Sequence, residues 1–417
     1  MQKKLLLSSL ILYSFLGAQT LTLESAINKT LKNHPDVKSF TLKVKQSHSS
    51  YNSAYADFLP QINLQANYNA VQTFVFPVNG SFKTLDDDGW SAGASLKQKI
   101  WDFSRTSSKV DASKVDEEIS KLSLEDLKAL LVYKVKSLYE LMIVQSKAIN
   151  VRKQDLESKE AYYSQAKAFV SQGLKTEADA SRFLSSVFLA KENLSTAQAS
   201  YLKAKNSLSL YMGEEIPKNS TLQNDLIYNN TLAESSIEEE IFQNNYQLKI
   251  QTQNIDKNTL LHKSAQASHY GSIDALASYT HIDTLNSYDS KLLGVSLNIP
   301  LYSGGRTSAE SQKAAISSQI ATQQKASQEL LLREETQSLL IDIQSYNKTI
   351  DAKKAQLLSS QKTKNVLDAR YAEGLSTYIE VLDATSLMLN AQLGLLEANY
   401  LKSLAINRLQ YLKGKIQ

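Results

Sequence analysis

The sequence predicts a mainly α-helical chain with a small transmembrane β-barrel portion to which several copies contribute strands. Three observations predict it: two stretches of over sixty residues free of Pro and Gly, four short segments of alternating polarity, and a tandem repeat that places these elements in one order twice. Low Gly and Pro (13 and 5 in 417 residues) suits long helices better than a loop-rich α/β enzyme. With no cysteine, disulfides, thiolate metal sites and a lipidated N-terminal Cys are excluded.

At the N-terminus Lys3 and Lys4 precede an apolar stretch, Leu5 to Leu16, that ends at Gly17-Ala18. A cationic start, a short apolar core and small residues at the exit read as a cleavable signal peptide over 1–18. Its loss removes both lysines and takes the formal charge from +4 to +2, so nothing suggests nucleic-acid binding. Beyond it no run of 18 apolar residues appears, so no helical membrane span is expected and a secreted chain of this kind is either soluble or a β-barrel.

Gly93-Ala94-Ser95-Leu96 recurs as Gly294-Val295-Ser296-Leu297, an offset of 201 that also relates Arg105-Thr106-Ser107 to Arg306-Thr307-Ser308 and Gly173-Leu174 to Gly374-Leu375. Upstream the offset is 211, relating Ile62, Ala66 and Tyr68 to Ile273, Ala277 and Tyr279. The domains expected are therefore a first repeat over 19–213, a linker over 214–231 and a second repeat over 232–417, each running helix, two strands, two helices.

Within the first repeat, 22–58 reads as helix and stops before Pro60. Residues 61–69 alternate without a break, which makes a strand with Ile62, Leu64, Ala66 and Tyr68 on one face. The partner strand lies at about 92–100, and 70–91 is expected to be a loop. In the second repeat Ile273, Ala275, Ala277 and Tyr279, then Leu293, Val295, Leu297 and Ile299, alternate similarly, although Leu276 interrupts the polar face; 282–290 is expected to be the matching loop. About nine residues suffice for a tilted transmembrane strand. Four strands cannot close a barrel, and open edges are not tolerated in lipid, so copies must share one wall. Residues 104–170 and 307–372 form the long helices, about 100 Å each at 1.5 Å per residue. Glycine-containing turns follow, then return helices at about 176–212 and 377–412.

Three segments, Ala54 to Leu64 (AYADFLPQINL), Val295 to Arg306 (VSLNIPLYSGGR) and Tyr371 to Ala384 (YAEGLSTYIEVLDA), resemble the TolC-type outer-membrane efflux protein family, and the resemblance extends over nearly the whole mature chain. It implies a homotrimer with a twelve-stranded β-barrel in the outer membrane and a helical α-barrel tunnel crossing the periplasm, with 214–231 in a belt midway along it. Substrate would pass through the lumen, the duct working with a periplasmic adaptor protein and an inner-membrane transporter.

The resemblance also implies roles for individual residues. Glu380 and Asp383, three apart on one helix face, would form acidic rings at the periplasmic entrance. Tyr371 and Asp179 would be gate links, although Ser376 stands where the family has an arginine. The tips Gly173-Leu174 and Gly374-Leu375 would meet the adaptor. Ile62, Leu64, Tyr68, Ile273, Tyr279, Val295 and Leu297 would face outer-membrane lipid. No catalytic constellation, metal site or cofactor motif is expected, and the five histidines form no HExxH pattern. Two other readings remain: the same duct serving type I protein secretion, and a secreted coiled-coil scaffold without a pore, against which the paired alternating strands argue.

Overall fold

The computed structural model describes residues 20–217, 220–223 and 237–415. The expected signal peptide therefore lies outside the described residues, as does most of the linker. Chain order is β1 (Thr20–Leu21), α1 (Leu23–Asn33), α2 (Pro35–Tyr55), β2 (Gln61–Val78), β3 (Ser81–Trp101), α3 (Arg105–Ser171), α4 (Glu177–Met212), β4 (Thr221–Leu222), α5 (Ile237–Asn244), α6 (Tyr246–Ala267), β5 (Ser272–Asp283), β6 (Ser287–Asn298), α7 (Arg306–Ala372) and α8 (Tyr378–Leu412).

The helix expected over 22–58 is broken at His34. Thr22 caps α1 by accepting from the Ser25 N–H, and Pro35 opens α2 at a position where a missing N–H is harmless. The second repeat breaks at the matching position: Asn245 caps α6 by accepting from the Leu248 N–H at 3.0 Å. A short 3-10 turn, Ala56–Phe58, then leads to Pro60.

Four strands form one antiparallel sheet in the order β2-β3-β5-β6. Its register aligns the apolar faces across all four strands, one row being Ile62, Leu96, Ala277 and Leu293. Leu64, Val295 and Leu297 are 85, 74 and 63% exposed, as an outward apolar wall requires, whereas Ile273 is half-buried. On the other face run Gln61, Asn63, Gln65 and Asn67 beside Lys97, Ser95, Gly93 and Ser91. Leu276 lies on that face, level with Lys97. Gly271 precedes β5 at φ +86°, and a Cβ there would sit 2.0 Å from the Asn298 carbonyl oxygen, so only glycine fits.

Both expected loops are corrected. Residues 70–91 are mostly strand: β2 and β3 continue pairing to Val78 and Ser81 and turn at Asn79-Gly80, with φ of 49° and 81°. Asn-Gly is the residue pair that a tight hairpin turn with positive φ favours. Likewise β5 runs to Asp283 and β6 starts at Ser287, leaving three connecting residues.

Helices α3 and α7 each run 67 residues. The chain forms two compact units, each drawing on both repeats. One comprises 39–126 and 244–331 and holds the four-stranded sheet. The other comprises the described residues within 1–38, 127–243 and 332–417. Its core gathers Ala26, Val135, Tyr139, Met142, Ile143, Leu208 and Met212. There the Tyr139 hydroxyl donates to the carbonyls of Leu21 (2.7 Å) and Gln223 (3.0 Å), fastening the short parallel pair β1–β4 to α3.

Candidate functional site

Most of the candidate gate and docking residues gather in the second unit, where α3 turns into α4 and α7 into α8. Both turns are Schellman caps. Leu174 N–H donates to Phe169 O at 2.9 Å and Gly173 N–H to Val170 O at 3.0 Å; Leu375 and Gly374 repeat this on Arg370 and Tyr371. The glycines take φ of 74° and 78°, which this cap needs. Leu174 and Leu375 project, 64 and 68% exposed.

Both return helices then open with a capping box. Thr176 Oγ1 accepts from the Asp179 N–H, and Asp179 Oδ2 accepts from Thr176 N–H and Oγ1. In α8 Thr377 and Glu380 repeat the arrangement, with Thr377 N–H donating to Glu380 Oε2 at 2.7 Å. Glu380 and Asp383 are both exposed. The Thr377 backbone N–H, with its hydroxyl and nearby Arg370, holds the Glu380 carboxyl below the usual carboxylate range.

Tyr371 is 1% exposed and sits edge-on to Tyr162, Phe169 and Phe183. The two residues implied as gate links, Tyr371 and Asp179, make no hydrogen bond to each other within the chain. The Tyr371 hydroxyl is buried without a hydrogen-bond partner, and Asp179 is engaged at its own helix cap. Burial, with a smaller contribution from the Asp179 charge, raises the Tyr371 pKa. Ser376, which stands where the family has an arginine, is buried and donates to Leu367 O at 3.3 Å. Lys175 from the other turn reaches the Ser376 carbonyl at 3.5 Å.

A polar connection that the sequence reading did not single out joins α3 to α7. Tyr162 Oη donates to Asp368 Oδ1 at 2.5 Å, and Lys364 Nζ donates to Tyr162 Oη at 2.9 Å and to Asp368 Oδ2 at 2.5 Å. Burial, reinforced by Asp368, raises the Tyr162 pKa. Burial pulls Lys364 down, but its bonds to Asp368 and Tyr162 outweigh this and leave it raised. The only sequence signal was the i, i+4 Lys364–Asp368 spacing, since Tyr162 is 206 residues from Asp368. Farther from the turns, a cavity of about 210 Å³ opens between α3, α7 and α8 beside Lys364, Thr385 and the buried Asp155. Asp155 pairs with Lys159 at 3.1 Å. This seam is polar and loosely filled, whereas the aromatic cluster is close-packed.

Comparison with known proteins agrees with this geometry. The family model described as outer membrane efflux protein matches residues 26–214 and 238–415. The outer membrane protein TolC of Vibrio cholerae is 23% identical, with 96% of this chain and 94% of that protein covered. The cation efflux system protein CusC of Escherichia coli K12 is also 23% identical, covering 90% of this chain and 83% of that one. A crystal structure of CusC superposes with a TM-score of 0.84 over 94% of this chain and 91% of that one, at 20% identity.

Proposed function

The chain belongs to the outer membrane efflux protein family and is an outer-membrane channel chain. From that premise we propose that three copies form one exit duct, through which small molecules pass from a periplasmic adaptor and an inner-membrane transporter to the outside. The duct moves its cargo without chemical conversion and needs no cofactor. Sheet order supports the shared wall: β2 and β6 are its edges, and each can be covered in lipid only by the opposite edge of another copy. The apolar rows through Ile62, Leu64, Tyr68, Ile273, Tyr279, Val295 and Leu297 would then face lipid.

The observation that carries the gate is the exposure of Glu380 and Asp383 at the start of α8, beside a projecting turn. Repeated around an axis they make two acidic rings, which attract cations and repel one another. Within one chain the helix cap lowers the Glu380 pKa, which opposes the rise that repulsion between copies imposes on such a ring. Tyr371 anchors the turn by packing, and Tyr162–Asp368–Lys364 ties the two helix pairs. Asp179 acts through the cap that sets the start of α4. The exposed Leu174 and Leu375, with Gly173 and Gly374, are the adaptor contacts.

The test is single-channel recording of purified protein in planar bilayers, comparing wild type with Glu380→Gln/Asp383→Asn. These substitutions keep side-chain size and remove charge. Block by multivalent cations and preference for cations should both disappear. If both persist at wild-type strength, these two residues are not the gate.

A further inference from the structure

The two hairpins of the sheet differ in reach, and the difference points to a closure at the barrel mouth of the proposed duct. Pairing of β3 with β5 ends at Trp90 and Asp283, but β2 and β3 continue together to the Asn79-Gly80 turn. Residues 70–89 thus form a two-stranded arm with no third strand beside it among the described residues. Such a ribbon is marginal in water unless something covers it.

Where the arm leaves the sheet, β2 carries a bulge: Asn69 pairs with Gly89 and Gln72 with Asp87, so Ala70 and Val71 stand opposite Asp88 alone. The inserted residue shifts which side chains of β2 continue each face. On β3 the alternation is unbroken, so Asp87, Leu85, Lys83 and Ser81 continue the face of Ser91, Ser95 and Lys97. Their partners on β2 are Gln72, Phe74, Phe76 and Val78. The face that is polar along the wall therefore gains Phe74, Phe76, Val78 and Leu85 in the arm, beside Gln72, Ser81, Lys83 and Asp87, with Phe74 and Phe76 stacked at 6.4 Å. On the face that carries the wall's apolar band, Tyr68 and Trp90 are followed by Asp88, Asp86 and Thr73, a polar break that argues against the arm continuing into lipid.

We propose that this apolar face is covered by second copies of the same arm: the three arms lean over the lumen axis and close the outer mouth. This rests on the shared-wall reading, in which the polar face of the sheet lines the lumen and the arm's Phe74, Phe76, Val78 and Leu85 point the same way. Head-to-tail contact around an axis also suits the charges. Lys83 near the turn has no ion-pair partner among the described residues, and Asp87 lies on the same face nearer the wall, so Lys83 of one copy can reach Asp87 of the next.

Because the chain has no cysteine, single substitutions report the contact cleanly. Full-length protein carrying Phe76→Cys or Val78→Cys on the apolar face, or Phe82→Cys on the opposite one, is oxidised in membranes and run on denaturing gels, with native mass spectrometry giving the number of chains. Phe76→Cys and Val78→Cys should each convert at least half of the chains to disulfide-linked dimers, and Phe82→Cys should leave them single. Three chains by mass without a link at either position 76 or 78 would overturn the closure and leave the duct standing. So would linkage through position 82 instead. A single chain by mass would overturn the shared wall and the closure with it.

Discussion

The α3–α4 turn and the α7–α8 turn are copies of one another with almost the same backbone and different side-chain chemistry. At an offset of 201, Gly173, Leu174 and Thr176 correspond to Gly374, Leu375 and Thr377, and the capping acid Asp179 corresponds to Glu380. Beyond the cap the copies part. Arg182, stacked 5.1 Å over the Tyr378 ring, corresponds to Asp383, and half-buried Val170 corresponds to the fully buried Tyr371. Where one copy has a cation three residues after its capping acid, the other has a second acid. The duplicated features start and stop helices. The features that differ carry the proposed gate.

The largest test of this asymmetry is Tyr371→Ala against Val170→Ala. Removing the buried ring should cost about 3–5 kcal/mol, and the half-buried valine about 1 kcal/mol, read as local opening by hydrogen exchange at the two turns. Equal losses would mean that the aromatic knot is not specific to the second copy. Next is Tyr162→Phe, which removes one hydrogen bond to a carboxylate and one from a lysine. It should weaken the α3–α7 connection by about 1.5–3 kcal/mol and raise the frequency of channel openings in bilayers. No change in openings would make the connection structural only.

Thr176→Ala and Thr377→Ala should each cost about 1 kcal/mol, and similar costs at the two turns would support the caps as shared scaffold. The second turn should also respond to acid. The Glu380 pKa is lowered by folding, so the stabilisation it gives is complete above the unfolded glutamate value and is lost as pH falls through the lower folded value. Hydrogen-exchange protection factors in the first turn of α8 should fall over that window in wild type and stay flat in Glu380→Gln. A wild-type profile as flat as the variant's would contradict the cap's role. The smallest effect is expected from Tyr371→Phe, which removes a hydroxyl that makes no hydrogen bond, so stability should stay within about 0.5 kcal/mol. A large loss would restore a role for that hydroxyl.

Much of the framework was legible because it is periodic and local. Uninterrupted runs gave α3 and α7 to within a residue or two, and strict alternation gave the wall portions of the strands. The missed features were of two kinds. Some had a local signal that was passed over: Asn79-Gly80 marks a tight hairpin, Pro35 marks the start of a new helix, and Thr-x-x-Asp and Thr-x-x-Glu mark the two capping boxes. Others had none, because they depend on which helix faces meet. Tyr162 finds Asp368 only after α3 and α7 pack, and the Tyr371 hydroxyl goes unbonded because its neighbours are aromatic.

The sheet order has a genetic consequence. A chain whose β6 is damaged still offers an intact β2, so it can enter an assembly and leave the ring unfinished. Expressed alongside normal chains, such a mutant should poison the mixture, with intact ducts declining faster than the share of normal polypeptide.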